Sequence, residues 1–218
     1  MLNIREDYHV HTNFNDHSPR NLSVANVMKC GEEKGLISIA FTEHVRKTSE
    51  WIPKYLEEID KAKSSGTALR MIPGFEAKIL ANGTLDFPEE YAGHFLVASF
   101  HTKYEAKDKW YNALKMAIEN TRPNSLGHLA PEESFDLSAE ELSELSDLIV
   151  KFNITVELNA KYRRPPLHWL RIFKEKNVNF HLASDAHRLE DVGNFDPILS
   201  LINFVGGQNL SVSMDSEN

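Results

Sequence analysis

The sequence predicts a parallel α/β fold closed into a barrel, and three observations carry that prediction. Seven short apolar runs alternate with segments whose apolar residues recur at helical spacing, the pattern of strands joined by crossover helices. The chain of 218 residues, 41% hydrophobic, is long enough for one sizeable core and reads as a single domain over residues 1–218. Six of the seven runs also deliver a histidine, glutamate or aspartate of metal-ligand type at or near their C-terminal ends. Apolar pattern alone does not separate sheet from barrel, but the distribution of these residues does. In a barrel the strand ends converge on one face, whereas in an open sheet they lie along a line too long for one site.

The elements follow in order. Strands are expected over residues 4–11, 37–42, 69–79, 95–101, 124–128, 154–158 and 179–184. Val24, Val27, Met28 and Gly31 form the first helical stripe, with Gly35 placed as its stop. Ile52, Tyr55, Leu56 and Ile59 form a second, and Leu114, Ala117 and Ile118 part of a third. Ser138 and Glu141 make a capping box that opens the helix of Leu142, Leu145 and Ile149. Pro166 opens a short helix carrying Leu167, Leu170 and Phe173, and Ile198, Leu201, Ile202 and Val205 form a last stripe.

Composition narrows the function classes. No run approaches the roughly 18 apolar residues of a membrane span, and no signal-peptide core opens the sequence. A lone cysteine, Cys30, excludes an intramolecular disulfide framework, and the expected compartment is the cytoplasm. A net charge of -8 argues against a surface that wraps duplex nucleic acid. Against this ordinary background stand ten histidines, the residue most used as metal ligand and acid/base group.

Their spacing is informative. His9 and His11, one residue apart in a strand, point to the same face, so both imidazoles can reach one ion. Asp185-x-His187 repeats that spacing on the last strand. A single histidine at a strand end is more often a surface or core group than a ligand, and His94, His168 and His181 are read that way. His44, His101 and His128 differ because each sits where a strand end meets the expected site.

These motifs carry a resemblance. Asp7-x-His9-x-His11-Thr12, Thr42-Glu43-His44, Gly74-x-Glu76, Ser99-x-His101, Gly127-His128 and Ser184-Asp185-Ala186-His187 occur in the order found in the polymerase and histidinol phosphatase (PHP) superfamily of metal-dependent phosphoesterases. The sequence resembles that family over residues 7–193, and the implied fold is a distorted (β/α)7 barrel, TIM-barrel-like. The resemblance implies one ion on His9, His11, Glu76 and Asp185, with Glu76 bridging to a second on His101 and His128. A third falls to His17, His44 and His187, with Asp16 as the alternative to His17. Nine candidate ligands exceed the three or four that one ion needs, so two or three divalent ions are expected. Imidazole with carboxylate suits Zn, Mn or Fe. Glu76, Asp185 and His187 are expected at the reacting centre, the last two either as ligands or as proton carriers.

Basic residues follow the strand ends closely despite the acidic net charge. Arg163, Arg164 and Arg188 are the expected phosphate-binding groups, because guanidinium matches phosphate bidentately. Glu157 and Asn159 are expected either to meet a substrate amine or hydroxyl or to hydrogen-bond a metal ligand. The implied activity is hydrolysis of a small phosphate monoester, with histidinol phosphate as leading substrate. A nuclease or nucleotide phosphoesterase of the same family is the second reading, and a non-catalytic metal-binding domain the third. The expected partner is a small phosphorylated molecule, with no membrane and no polymeric nucleic acid. Specificity is expected in the loops at residues 46–52, 103–108 and 161–166; oligomeric state is not assigned.

Overall fold

The computed structural model describes residues 2–14, 18–131 and 135–206. Seven parallel strands follow one another in chain order: β1 (Glu6–Val10), β2 (Ser38–Val45), β3 (Arg70–Lys78), β4 (Phe95–Ser99), β5 (Ser125–Leu126), β6 (Thr155–Asn159) and β7 (Asn179–Ala183). The ring closes between its ends. Val10 bridges Ala186 in parallel; the His11 amide donates to the Ala186 carbonyl at 3.0 Å and the Asp185 amide to the His9 carbonyl at 2.8 Å. The buried Asp7 carboxylate clamps this seam, accepting the Ser184 and Gly193 amides at 2.9 Å each. A TIM-barrel-like α/β barrel results.

Helices α1 (Val24–Glu33), α2 (Ile52–Lys63), α3 (Lys107–Thr121), α4 (Ala139–Lys151) and α5 (Leu167–Glu175) cover the strands, and α6 (Leu199–Gly206) follows β7. Most of each expected stripe packs inward, with two corrections: Leu167, at the first turn of α5, is exposed and Trp169 takes its place in the core, and of the last stripe only Ile198 and Ile202 are buried. Val24, Val27 and Gly31 are buried on α1, and Gly35 just beyond it takes the left-handed φ of +70° that favours glycine. On α4 both halves of the capping box form: Ser138 Oγ accepts the Glu141 amide at 3.2 Å, and Glu141 Oε2 accepts the Ser138 amide at 2.7 Å. Trp169, Leu170 and Phe173 of α5 are fully buried, each contributing roughly 2–3 kcal/mol of hydrophobic burial.

Two irregularities make the barrel uneven. The β3–β4 connection carries no α-helix. Its stretch has no helical periodicity and holds only a bridge between Ile79 and Leu85 and a 3-10 turn at Glu89–Tyr91. Strand β5 is two residues long because the chain swings out of extended geometry at His128, whose φ is +30°. No helix among the described residues is long and apolar enough to cross a membrane.

Candidate metal centre

The strand C-termini meet at Glu76. Register places His44 of β2 directly beside Glu76 of β3, so both side chains rise on one face at one level. The two carboxylate oxygens divide the histidines between them. Oε1 lies 2.9 Å from His101 Nε2 and 3.1 Å from His128 Nε2. Oε2 lies 2.7 Å from His44 Nδ1, 3.5 Å from His9 Nε2 and 3.6 Å from His11 Nε2. Asp185, held at φ +55°, reaches His11 Nε2 with Oδ1 at 3.4 Å. His187 completes the edge, its ring centroid 4.1 Å from that of His11. Two candidate ligands, His128 and Asp185, thus occupy left-handed backbone, a conformation that costs energy outside glycine and gathers at functional sites.

The cluster fits cations. Glu76 Oε2 is buried, accepts no hydrogen bond among the described residues, and is nevertheless ringed by imidazole nitrogens. His9 Nδ1 lies 2.7 Å from Glu157 Oε1, and His11 Nδ1 lies 3.4 Å from Glu43 Oε1. With those Nδ1 protons donated to carboxylates, both Nε2 atoms present lone pairs, and they face each other at 3.0 Å. Two lone pairs at that separation repel unless a proton or a metal ion lies between them. Among the described residues, three groups have ligand atoms close enough to hold an ion: His9, His11 and Glu76; His44, Glu76 and His101; and His11, His44 and His187.

The electrostatics follow from the same packing. Burial alone raises the Glu76 pKa, but His101, His9 and His44 hold it well below the usual carboxylate range. Asp185 is likewise raised by burial and pulled well below by His9, His11 and His187. Burial opposes the charged form of His9, yet Glu157, Glu76 and Asp185 together raise its pKa well above that of free imidazole. The site concentrates negative charge and lone pairs in a dry place, which is where a divalent ion replaces protons.

The expected ligands His9, His11, His44, Glu76, His101, His128, Asp185 and His187 all come together here. Asp16 and His17 lie outside the described residues. The other histidines stand apart from the cluster: His94 contacts the Tyr91 carbonyl at 3.1 Å, His168 meets Asp136 at 2.6 Å, and His181 meets Ser125 Oγ at 3.0 Å.

The expected substrate-binding residues separate. Glu157 and Asn159 are completely buried, so of their two expected roles the geometry leaves support of the ligands. Glu157 Oε2 accepts the His128 amide at 3.1 Å and Asn159 Nδ2 at 3.2 Å, and Asn159 Nδ2 also donates to Asp185 Oδ2 at 3.2 Å. Arg164 Nη1 donates to the Pro131 carbonyl at 2.7 Å and lines a cavity that contains none of the cluster residues. Arg163 and Arg188 line a cavity of about 340 Å³ beside Asp185 and His187, although Arg188 also pairs with Asp191 at 3.2 Å. A second cavity, of about 670 Å³, opens from the His44, Glu76 and His101 side.

Two residues take a larger part than the sequence reading gave them. Lys161, expected only as one of the basic residues that follow the strand ends and not among the three leading phosphate-binding arginines, places Nζ 3.1 Å from both Asp185 Oδ1 and His187 Nδ1. Glu43, fully buried, accepts the Thr12 amide at 2.8 Å and the His44 amide at 3.0 Å, so one carboxylate orients ligand-bearing segments of both β1 and β2. The Thr42-Glu43-His44 motif contained the signal; a charged residue flanked by strand residues is unexpected unless it has buried partners.

Comparison with known proteins bears on the family and the fold. Residues 7–180 match the family model described as the PHP domain. The DNA polymerase/3'-5' exonuclease PolX of Bacillus subtilis is 24% identical over 204 residues, which is 86% of this chain but 35% of that longer protein. A probable phosphatase of Vibrio campbellii is 28% identical, with 94% of this chain and 86% of the relative covered. A Listeria monocytogenes crystal structure, provisionally assigned as a histidinol phosphatase, shares the fold with a TM-score of 0.70 at 18% identity, covering 87% of this chain and 97% of that one.

Proposed function

The chain belongs to the PHP domain family, and from that premise we propose that it is a metal-dependent phosphatase acting on a small phosphate monoester, with histidinol phosphate as the leading substrate. The observation that carries the reading is the convergence of five imidazoles on the two oxygens of Glu76. His9, His11, Glu76 and Asp185 would hold one ion and Glu76 with His44, His101 and His128 a second; His11, His44 and His187 also gather closely enough for an ion, as an alternative use of the single lone pair that His11 presents at Nε2. Two or three ions of Zn, Mn or Fe, when bound, supply positive charge for phosphate oxygens and acidify water.

The chain's own groups do the rest. Glu157 fixes the His9 tautomer through Nδ1, leaving Nε2 to face the centre. Lys161, with Arg163 and Arg188 around the smaller cavity, draws phosphate oxygens to the cluster, and a lysine ammonium there acts as a point charge. Asp185, held well below the usual carboxylate range, serves as a ligand, while His187, which lines the same cavity, would carry the proton to the leaving group where it is not itself a ligand. Histidinol phosphate leads because the motif set, His11 to His17 included, resembles that branch of the family. Similarity to the PolX exonuclease favours a second reading, hydrolysis of a nucleotide ester at the same site.

The test is phosphate release by metal-loaded protein from a panel containing histidinol phosphate, simple phosphomonoesters and single-stranded DNA. Release from histidinol phosphate is expected. Mononucleotides from DNA without turnover of histidinol phosphate would establish the second reading instead. Metal uptake with no hydrolysis of any panel member would sink both.

A further inference from the structure

The larger cavity has a wall whose chemistry differs from the metal cluster that forms its floor. His44, Glu76 and His101 line the floor, and Phe14 and Trp51 stand above them with ring centroids 5.8 Å apart. Trp51 is held firmly: its ring meets Tyr55 edge-on at 5.4 Å and tilts against Phe75 at 6.5 Å. Of the three loops expected to set specificity, the one at residues 46–52 therefore brings a fixed aromatic surface to the reacting centre. Arg46, Lys78 and Asp86 give the remaining wall hydrogen-bonding character.

The smaller cavity has no Phe, Tyr or Trp in its wall. It carries three cations, Lys161, Arg163 and Arg188, beside Asp185 and Asp191, against two, Arg46 and Lys78, in the larger one; it has about half the volume, and the two share no lining residue. Cations suit phosphate oxygens, while a fixed indole with polar groups around it suits a planar ring. A volume near 670 Å³ also lies within the range of small-molecule sites.

We infer that the larger cavity is the leaving-group site and that Trp51 selects phosphate monoesters whose organic part carries an aromatic or heteroaromatic ring. This inference rests on the phosphatase reading for the position of the phosphoryl group, at the cluster between the two cavities. Trp51 then touches substrate without touching the reacting atoms. It sets which esters bind well, and the metal centre sets how fast they react.

The experiment separates binding from turnover. Calorimetry on manganese-loaded protein compares 2-phenylethylphosphonate with 2-cyclohexylethylphosphonate, stable analogues of similar size that differ in the aromaticity of the ring. The aromatic analogue is expected to bind about fivefold tighter, the size of one aromatic contact beyond apolar burial. Trp51→Leu is expected to bring the ratio close to one, and Trp51→Phe to retain most of it. Equal affinities in the native protein, or a preference that survives Trp51→Leu, overturn the inference. Phosphate release from 2-phenylethyl phosphate is measured separately. A preserved binding preference with no hydrolysis of this ester or of any member of the phosphoester panel supports the ring site and refutes the hydrolase reading.

Discussion

Replacing Glu157 by Gln should weaken metal binding although Glu157 itself is no ligand. The carboxylate accepts from three donors: His9 Nδ1 on Oε1, and the His128 amide and Asn159 Nδ2 on Oε2. An amide of the same shape has one acceptor and one donor end, so either orientation creates a conflict. With its oxygen toward His9, its NH2 faces two other donors and leaves buried groups unsatisfied. With its NH2 toward His9, Nδ1 must become the lone-pair atom and Nε2 carries the proton, which removes His9 as a ligand. A lost charge-assisted hydrogen bond costs about 1.5–3 kcal/mol. That corresponds to roughly 10–100-fold in affinity, the range found when such supporting carboxylates are changed. The assay is competition for zinc against a chelating dye, with circular dichroism to confirm the fold. An affinity within twofold of the native protein would refute the argument that Glu157 sets the His9 tautomer.

Three further outcomes follow from the same geometry. Chelation should lower thermal stability, by about 2.7 kcal/mol when the metal had stood at a hundred times its dissociation constant, because an ion held only by the folded cluster adds its binding free energy to folding; calorimetric melts with and without EDTA measure it, and coincident melts count against a structural role for the metal. Burial lowers the His181 pKa to about 4, so the fold favours neutral imidazole. Its contribution is intact above pH 6.5 and is lost as pH falls toward 4, by up to about 2–3 kcal/mol. His181→Gln should flatten that part of a urea-stability profile, and an unchanged slope would dismiss His181 as its source. Gly127→Ala places a methyl group against Ser99 Oγ and 2.7 Å from Val97 Cγ1, one residue before His128. Overpacking there should cost about 1–3 kcal/mol in denaturant unfolding and shift His128 away from Glu76; a neutral substitution would mean the barrel interior yields more easily than its packing indicates.

Much of the fold is legible in residue order. All seven strands form where apolar runs occur, and the Ser138–Glu141 box opens its helix because both partners lie within one turn. The meeting of the candidate ligands in one cluster was legible for a similar reason: short motifs at strand ends fix which side chains leave the sheet together, as His9 and His11 do. The supporting residues were harder to read. Glu43 and Lys161 are ordinary charged residues in sequence, and only their neighbours distinguish them. Arg164 shows the converse, a residue with suitable chemistry beside the site whose guanidinium is engaged by the Pro131 carbonyl.

The sequence by itself determined the order of strands and helices, because strand alternation, helix periodicity and capping act over a few residues, and the motifs at its strand ends pointed to the barrel and to the residue types that gather there. Tertiary structure decided which oxygen of Glu76 meets which histidine, that Glu157 is buried beneath His9, and that Trp51 stands beside His44 and His101 across a cavity. Those relations depend on strand register and on ring closure between β1 and β7, where residues some 175 positions apart meet, such as Ser184 Oγ and the His9 carbonyl. Local spacing fixes which face a side chain takes, whereas distances across the barrel are set only when the sheet closes.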